Sequence, residues 1–278
     1  MRSGNFEIFE IVPSVFGLDG GAMFGIVPKP LWSKLYPADE MNRIEMAGRI
    51  FIVKHRDRNI IIETGMGEKF NEKFKNIYNI RVYNLSELLK IHGLTEELIT
   101  DVIISHLHFD HAGGLSKREG NNIVPVYPNA KVYVQRVQFE NAWNPSIKDR
   151  GSYVRDDFEF LFKYENLVLI DGEYELMNGF KIKPVNGHSP GMQTVYINTG
   201  ENDFIFTADL VPTARHIRIP YVMAYDLNPL QTISEKISLL EDAVRRQAIL
   251  LFPHDIFTSA ARVIKNNGDF EIMEEVTL

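Results

Sequence analysis

A mixed α/β fold rich in strands is predicted by two features of this sequence: short β-branched apolar runs recur along its length, and amphipathic helical patterns are interleaved with them. A third feature points to chemistry. Five of the eight histidines stand at the ends of such runs.

The strand candidates, in order, are 6–12, 50–54 with 60–62 across the turn HRDRN, 102–105, 131–134, 167–170, 181–185, 195–197, 204–206 and 249–252. Each is short, apolar and bounded by turn residues. The clearest helix is 230–248, where Ile233, Ile237, Leu240 and Val244 fall on one face and Glu235, Lys236, Glu241 and Arg245 on the others. Shorter helices are predicted over 86–91, 95–98 and 259–265. The spacing of elements shows no linker, repeat or low-complexity tract, so 1–278 is read as one domain.

Composition narrows the function classes. The sequence has no cysteine, which excludes disulfides, zinc-thiolate sites, iron–sulfur clusters and a cysteine nucleophile. A formal net charge of -7 argues against a protein built to grip nucleic-acid phosphates. Glu7 and Glu10 interrupt the N-terminal segment where a signal peptide needs an apolar run, and no stretch is long enough to span a bilayer. The expectations are a cytoplasmic location, no membrane, no nucleic-acid partner and a small-molecule substrate. The phosphate-binding fingerprints GxGxxG and GxxxxGK are absent after strands, which argues against a nucleotide-binding doubly wound fold.

The chemistry concentrates in SHLHFDHAGG, which follows the apolar run Val102, Ile103, Ile104. If the strand continues, His106 and His108 share a face and aim at one spot. Asp110 and His111 come after the turn begins and can face a neighbouring spot, with Gly113 and Gly114 letting the chain bend. One hexapeptide can thus supply both halves of a two-metal site. Further donors end other apolar runs: His188 in NGHSPG, Asp209 in TAD and His254 in PHD. His55 and His92 read as surface histidines, and His216 as a packing residue.

These four motifs, in this order over nearly the whole chain, resemble the metallo-β-lactamase fold superfamily, and SHLHFDHAGG with GHSPGMQT is most similar to its lactonase and organophosphate-hydrolase branches. The resemblance implies a four-layer αββα sandwich of the metallo-β-lactamase type. It assigns His106, His108 and His188 to one metal and Asp110, His111 and His254 to the other, with Asp209 bridging. Two divalent ions are expected, zinc first, with Fe, Mn or Co compatible with the same donors. Asp110 and Asp209 are the expected catalytic residues: a hydroxide held between the ions attacks the substrate, and Asp110 shuttles the proton.

The sequence departs from the family in two places. Glu63-Thr64-Gly65 stands for the usual DTG, which implies an altered supporting hydrogen bond. Pro212 stands where the lactonase branch has a tyrosine, and Tyr221 and Tyr225 are the candidates for another phenol. Met23 and Phe24, after Gly20 and Gly21, are candidates to cap an apolar substrate pocket with those tyrosines. Ester or lactone hydrolysis, of the acyl-homoserine lactone kind, is the first expectation. Phosphotriester hydrolysis, glyoxalase-like thioester hydrolysis and a mono-iron dioxygenase follow, and relatives suggest a homodimer. A catalytically dead binding protein fits poorly with a full donor set.

Overall fold

The computed structural model describes residues 1–278 and divides into two compact units, Met1–Val15 with Gly48–Gly172, and Phe16–Ala47 with Glu173–Leu278. Both mix strands and helices, as the alternating patterns require.

One sheet has eight strands, drawn from the first unit apart from residues 16–19 and 43–47, which fall in the second. Its strands are β1 (Arg2–Ser3), β2 (Phe6–Asp19), β3 (Arg43–His55), β4 (Arg58–Ile62), β5 (Arg81–Val82) and β6 (Asp101–Ile103); then, after the hairpin of β7 (Ser116–Glu119) and β8 (Asn122–Pro125), β9 (Lys131–Gln135) and β10 (Leu167–Ile170). The order is β1-β2-β3-β4-β6-β9-β10, with β5 on β2. The strands β4, β6, β9 and β10 are mutually parallel, so their C-terminal ends share one edge. Ile61, Val102, Val132 and Val134 are buried in a core with Leu89, Leu107, Phe139 and Phe158, which explains the unbroken β-branched runs.

The second unit carries a seven-stranded sheet in chain order: β11 (Tyr174–Met177), β12 (Phe180–Val185), β13 (Met192–Asn198), β14 (Asp203–Phe206), β15 (Ile249–Leu251), β16 (Ala260–Asn266) and β17 (Asp269–Glu275). β12 and β14 are each antiparallel to β13, and β15 is parallel to β14. Hence β12, β14 and β15 all run one way, and the loops that follow them leave from the same edge.

Three sequence expectations change. The helix expected over 259–265 is instead strand β16, Ala260–Asn266; the deciding signal is Asn267-Gly268, both at positive φ (48° and 87°), a two-residue hairpin turn that pairs Asn266 with Asp269. The strand before the histidines stops at Ile103, so period-two alternation does not place His106 and His108. The long helix, Pro229–Arg246, is capped by the Asn228 side chain; of the predicted face Leu240 is buried and Ile233, Ile237 and Val244 are half-buried, while Thr232, Lys236, Leu239 and Ala243 are buried beside them.

Lys236 is the charged member of that buried set. It is fully buried, and its Nζ donates to the carbonyls of His216, Arg218 and Tyr221 at 3.2, 2.9 and 2.8 Å. Burial pushes its ammonium down to about 7, against attraction from Asp226 and Asp269. Between pH 7 and the ordinary lysine value the unfolded chain binds more protons, so this residue's contribution to stability rises with pH across that window, by at most about 1.4 kcal/mol per pH unit. Denaturant unfolding of wild type and Lys236→Met at pH 6.5, 8 and 9.5 should show a gap that widens with pH; a constant gap would contradict the burial effect.

No helix is long and apolar enough to cross a membrane.

Candidate metal centre

In the first unit the donors follow β6. Ile104 to His108 is irregular, and a single helical turn, Phe109–Ala112, then carries Asp110 and His111. His106, His108, Asp110 and His111 are all buried. His106 Nε2 lies 3.0 Å from His108 Nδ1, and His111 Nε2 lies 3.7 Å from Asp110 Oδ2. His106 also packs against His111, their ring centroids 4.1 Å apart, so the four side chains form one cluster.

What orients them is Glu63, at the end of β4 in the left-handed region (φ 71°). Its Oε1 accepts the Ser105 N–H at 3.0 Å, and its Oε2 accepts from His111 Nδ1 at 3.1 Å, which turns Nε2 toward Asp110. The longer acid in place of the family's aspartate thus spans both ends of 105–111. Thr64 reinforces it, donating from its backbone N and its Oγ1 to the His111 carbonyl at 3.0 and 2.7 Å. Gly113 and Gly114 are needed for close approach rather than for bending: a Cβ would lie 2.0 Å from Met66 O and 2.2 Å from Thr64 O, respectively. Lys69 ties down the same loop, donating to the carbonyls of Gly113 and Ser116 beside Asp157 at 3.1 Å. Burial pushes the Asp157 carboxyl up to about 6 even with that ammonium beside it.

In the second unit the donors follow the three co-directional strands: His188 after β12, Asp209 after β14 and His254 after β15. His188 Nδ1 donates to Asp226 Oδ1 at 2.8 Å, and His254 Nδ1 donates to the Ala47 carbonyl at 2.8 Å. In both rings Nε2 is then turned to Asp209, 3.4 Å from Oδ2 for His188 and 3.1 Å from Oδ1 for His254. One carboxylate faces two histidines, one oxygen to each. Ala208, beside it, is also left-handed (φ 47°), while Thr207 Oγ1 donates to the carbonyls of Val211 and Leu251. Glu63, which supports His111, and Ala208, which precedes Asp209, are thus both non-glycine residues in a strained conformation, as is common at functional loops.

The donors are nitrogen and carboxylate oxygen only, buried, with imidazoles oriented by hydrogen bonds through the other ring nitrogen. That chemistry fits divalent transition ions, zinc among them.

The other candidates fall elsewhere. Met23 and Phe24 are buried, and Phe24 is stacked between Trp32 (5.5 Å) and His216 (4.7 Å), with Tyr221 against its edge. These contacts are core packing in the second unit. Tyr221 is buried and Tyr225 half-buried. His216 is held by Thr213 Oγ1 and donates to the Met23 carbonyl; burial pushes it down to about 4 and keeps it neutral. His55 and His92 stack on Phe6 and Phe9.

Two features were not anticipated. Asp226 gives no local sequence signal. Phe70, Phe74 and Tyr78 recur every four residues across the short helix Glu72–Tyr78, a legible helical period, and all three pack on Phe109 at 6.3, 5.1 and 5.2 Å. This half-exposed ladder stands beside Asp110; burial, and then the Asp110 charge, raise the Tyr78 phenol above its ordinary value and keep it protonated.

Comparison with known proteins identifies the family. The profile of the Metallo-beta-lactamase superfamily matches residues 44–260, a span that includes all seven donors and runs through both units. The chain is similar to an N-acyl homoserine lactonase of Bacillus thuringiensis, 27% identical over 223 residues, covering 74% of this chain and 80% of the lactonase. It is similar in structure to a probable metal-dependent hydrolase from Staphylococcus aureus, with TM-score 0.89, 29% identity and both chains covered in full. At 20% identity and TM-score 0.80, a dizinc quorum-quenching lactonase crystallised with its product shares the fold, over 100% of this chain and 97% of its own. The chain belongs to the metallo-β-lactamase superfamily, with its fold, and is a metal-dependent hydrolase.

Proposed function

We propose that the chain hydrolyses a lipophilic ester or lactone, N-acyl homoserine lactones being the first substrate class, with two zinc ions held by His106, His108, Asp110, His111, His188, Asp209 and His254. The observation that carries this reading is Asp209, whose two oxygens each face a different histidine Nε2, so that one carboxylate would serve both ions. The lactonase relative supports the substrate class. When bound, such a pair of ions makes water acidic enough to act as hydroxide near neutral pH and polarises the substrate's carbonyl oxygen.

The chain's own residues do the rest. Asp110 takes up the proton released as the nucleophile adds and delivers it to the leaving oxygen. Glu63 and Asp226 keep His111 and His188 in one orientation through their Nδ1 atoms. Phe109 with Phe70, Phe74 and Tyr78 offers an apolar wall for an acyl chain. Pro212 favours one competing reaction: it removes the phenol that the lactonase branch places there, which a phosphotriester does not require.

A panel of substrates tests the choice. The zinc-loaded protein should open N-acyl homoserine lactones with kcat/KM of about 10⁴ M⁻¹s⁻¹ or more, rising with acyl length, and act more slowly on a phosphotriester, an aryl ester and a thioester. A phosphotriester at the top of that ranking would replace the lactone reading.

A further inference from the structure

The loop that carries His188 is held by a side chain outside the donor set. β12 ends at Val185, and residues 186–191 turn back into β13. Asn186 closes this turn on itself, its Oδ1 accepting the Gly191 N–H at 2.9 Å. Glu235, in the second turn of the long helix, accepts the two backbone N–H groups that precede His188. Its oxygens lie 2.9 and 3.1 Å from Asn186 N, and Oε2 lies 2.9 Å from Gly187 N. Gln231, one turn earlier, donates to Glu235 Oε1 at 2.9 Å and fixes the carboxylate's direction.

The chain entering this helix holds the opposite side of the loop. Asn228 N–H donates to the Gly187 carbonyl at 2.8 Å, and Leu227 N–H donates to the His188 carbonyl at 3.1 Å. Gly187 comes so near that a Cβ would lie 2.3 Å from Thr232 N. Asp226 holds the imidazole itself. Of all these contacts, only those of Glu235 are charge-assisted bonds to the backbone, the strongest kind available to fix a loop. Lys236, the next residue, gathers the carbonyls of His216, Arg218 and Tyr221, in the segment that leads to Asp226. Adjacent residues of one helix therefore tether the loop of the histidine and the loop of the aspartate that orients it.

We propose that Glu235 is a positioning residue for His188, setting the direction of its Nε2 through the Asn186 and Gly187 N–H groups. This deepens the metallohydrolase reading and rests on it for the role of His188. Glu235 is half-buried and lines an open groove of about 790 Å³ with Lys183, Val185, Ser234 and Ser238, so it can be changed without opening the core. Glutamine keeps its size but turns an amide NH₂ toward one of two N–H donors.

The test compares Glu235→Gln with Glu241→Gln, an exposed residue of the same helix whose partner is Lys265. In metal-free protein labelled with ¹⁵N-histidine, wild type should show a protected His188 Nδ1–H signal. Glu235→Gln should broaden or abolish it and speed amide exchange at Asn186 and Gly187 by about tenfold or more. Zinc affinity, measured with a competing chelator, should fall by about tenfold, within the usual effect of groups that orient a metal ligand. Glu241→Gln should change none of these. If Glu235→Gln leaves the His188 signal and the zinc affinity at wild-type values, Glu235 only joins helix to loop and the positioning role is wrong. If wild type binds no zinc while Glu235→Gln still loses the His188 signal, the zinc assignment fails and the positioning role stands.

Discussion

Asp209→Ala is expected to lower bound zinc from two ions per chain to one or none and to reduce kcat/KM by about 10³-fold or more, since several kcal/mol of transition-state stabilisation are at stake at tenfold per 1.36 kcal/mol. The size of the effect follows from placement. Asp209 is buried, with one oxygen facing His188 and the other facing His254, so alanine removes negative charge from beside two donors at once. Asp209→Asn separates charge from shape: the amide keeps one oxygen but turns NH₂ toward the other histidine, and one ion should remain. Metal content by elemental analysis, read with lactone turnover and circular dichroism, checks both variants. A folded Asp209→Ala protein with two tightly held ions and unchanged turnover would remove Asp209 from the centre.

Much of this arrangement is legible in the sequence because its causes are local. The β-branched runs are strands because parallel neighbours bury both their faces, as with Val102 between Ile61 and Val132. The donors end such runs because, within each sheet, the parallel or co-directional strands bring those ends to one edge of that sheet. Where the sequence misleads, a longer-range partner decides. The apolar period over 259–265 suits a helix, yet Asn267-Gly268 folds it back as a hairpin strand. Lys236 belongs with the polar residues until three carbonyls of a distant loop enclose it. Asp226 and Glu235 act on partners 38 and 49 residues away, and no local pattern announces them. Strand period cannot place His106 and His108, because the ladder of β4 and β6 ends at Ile62 and Ile103 and the Glu63 carboxylate takes the next amide but one.

That carboxylate yields the second large effect. Glu63→Ala should weaken zinc binding by roughly 10–100-fold, because it frees the His111 ring, and should also destabilise the fold, since a buried Ser105 N–H left without an acceptor costs about 1–3 kcal/mol. Stability and binding can be pulled apart at this position because Glu63 has φ 71°. Alanine there retains the left-handed strain, whereas glycine relieves it by about 1 kcal/mol. Glu63→Gly should therefore melt above Glu63→Ala, yet bind zinc no better, because both lack the carboxylate. Glu63→Asp keeps the charge but is one methylene shorter, and cannot reach Ser105 N and His111 Nδ1 together; its zinc affinity should fall between wild type and alanine. Zinc affinity and melting temperature measured on the three variants decide the matter. If affinity instead follows melting temperature, with glycine nearer wild type than alanine, Glu63 acts through the backbone of the strand end and not through the imidazole of His111.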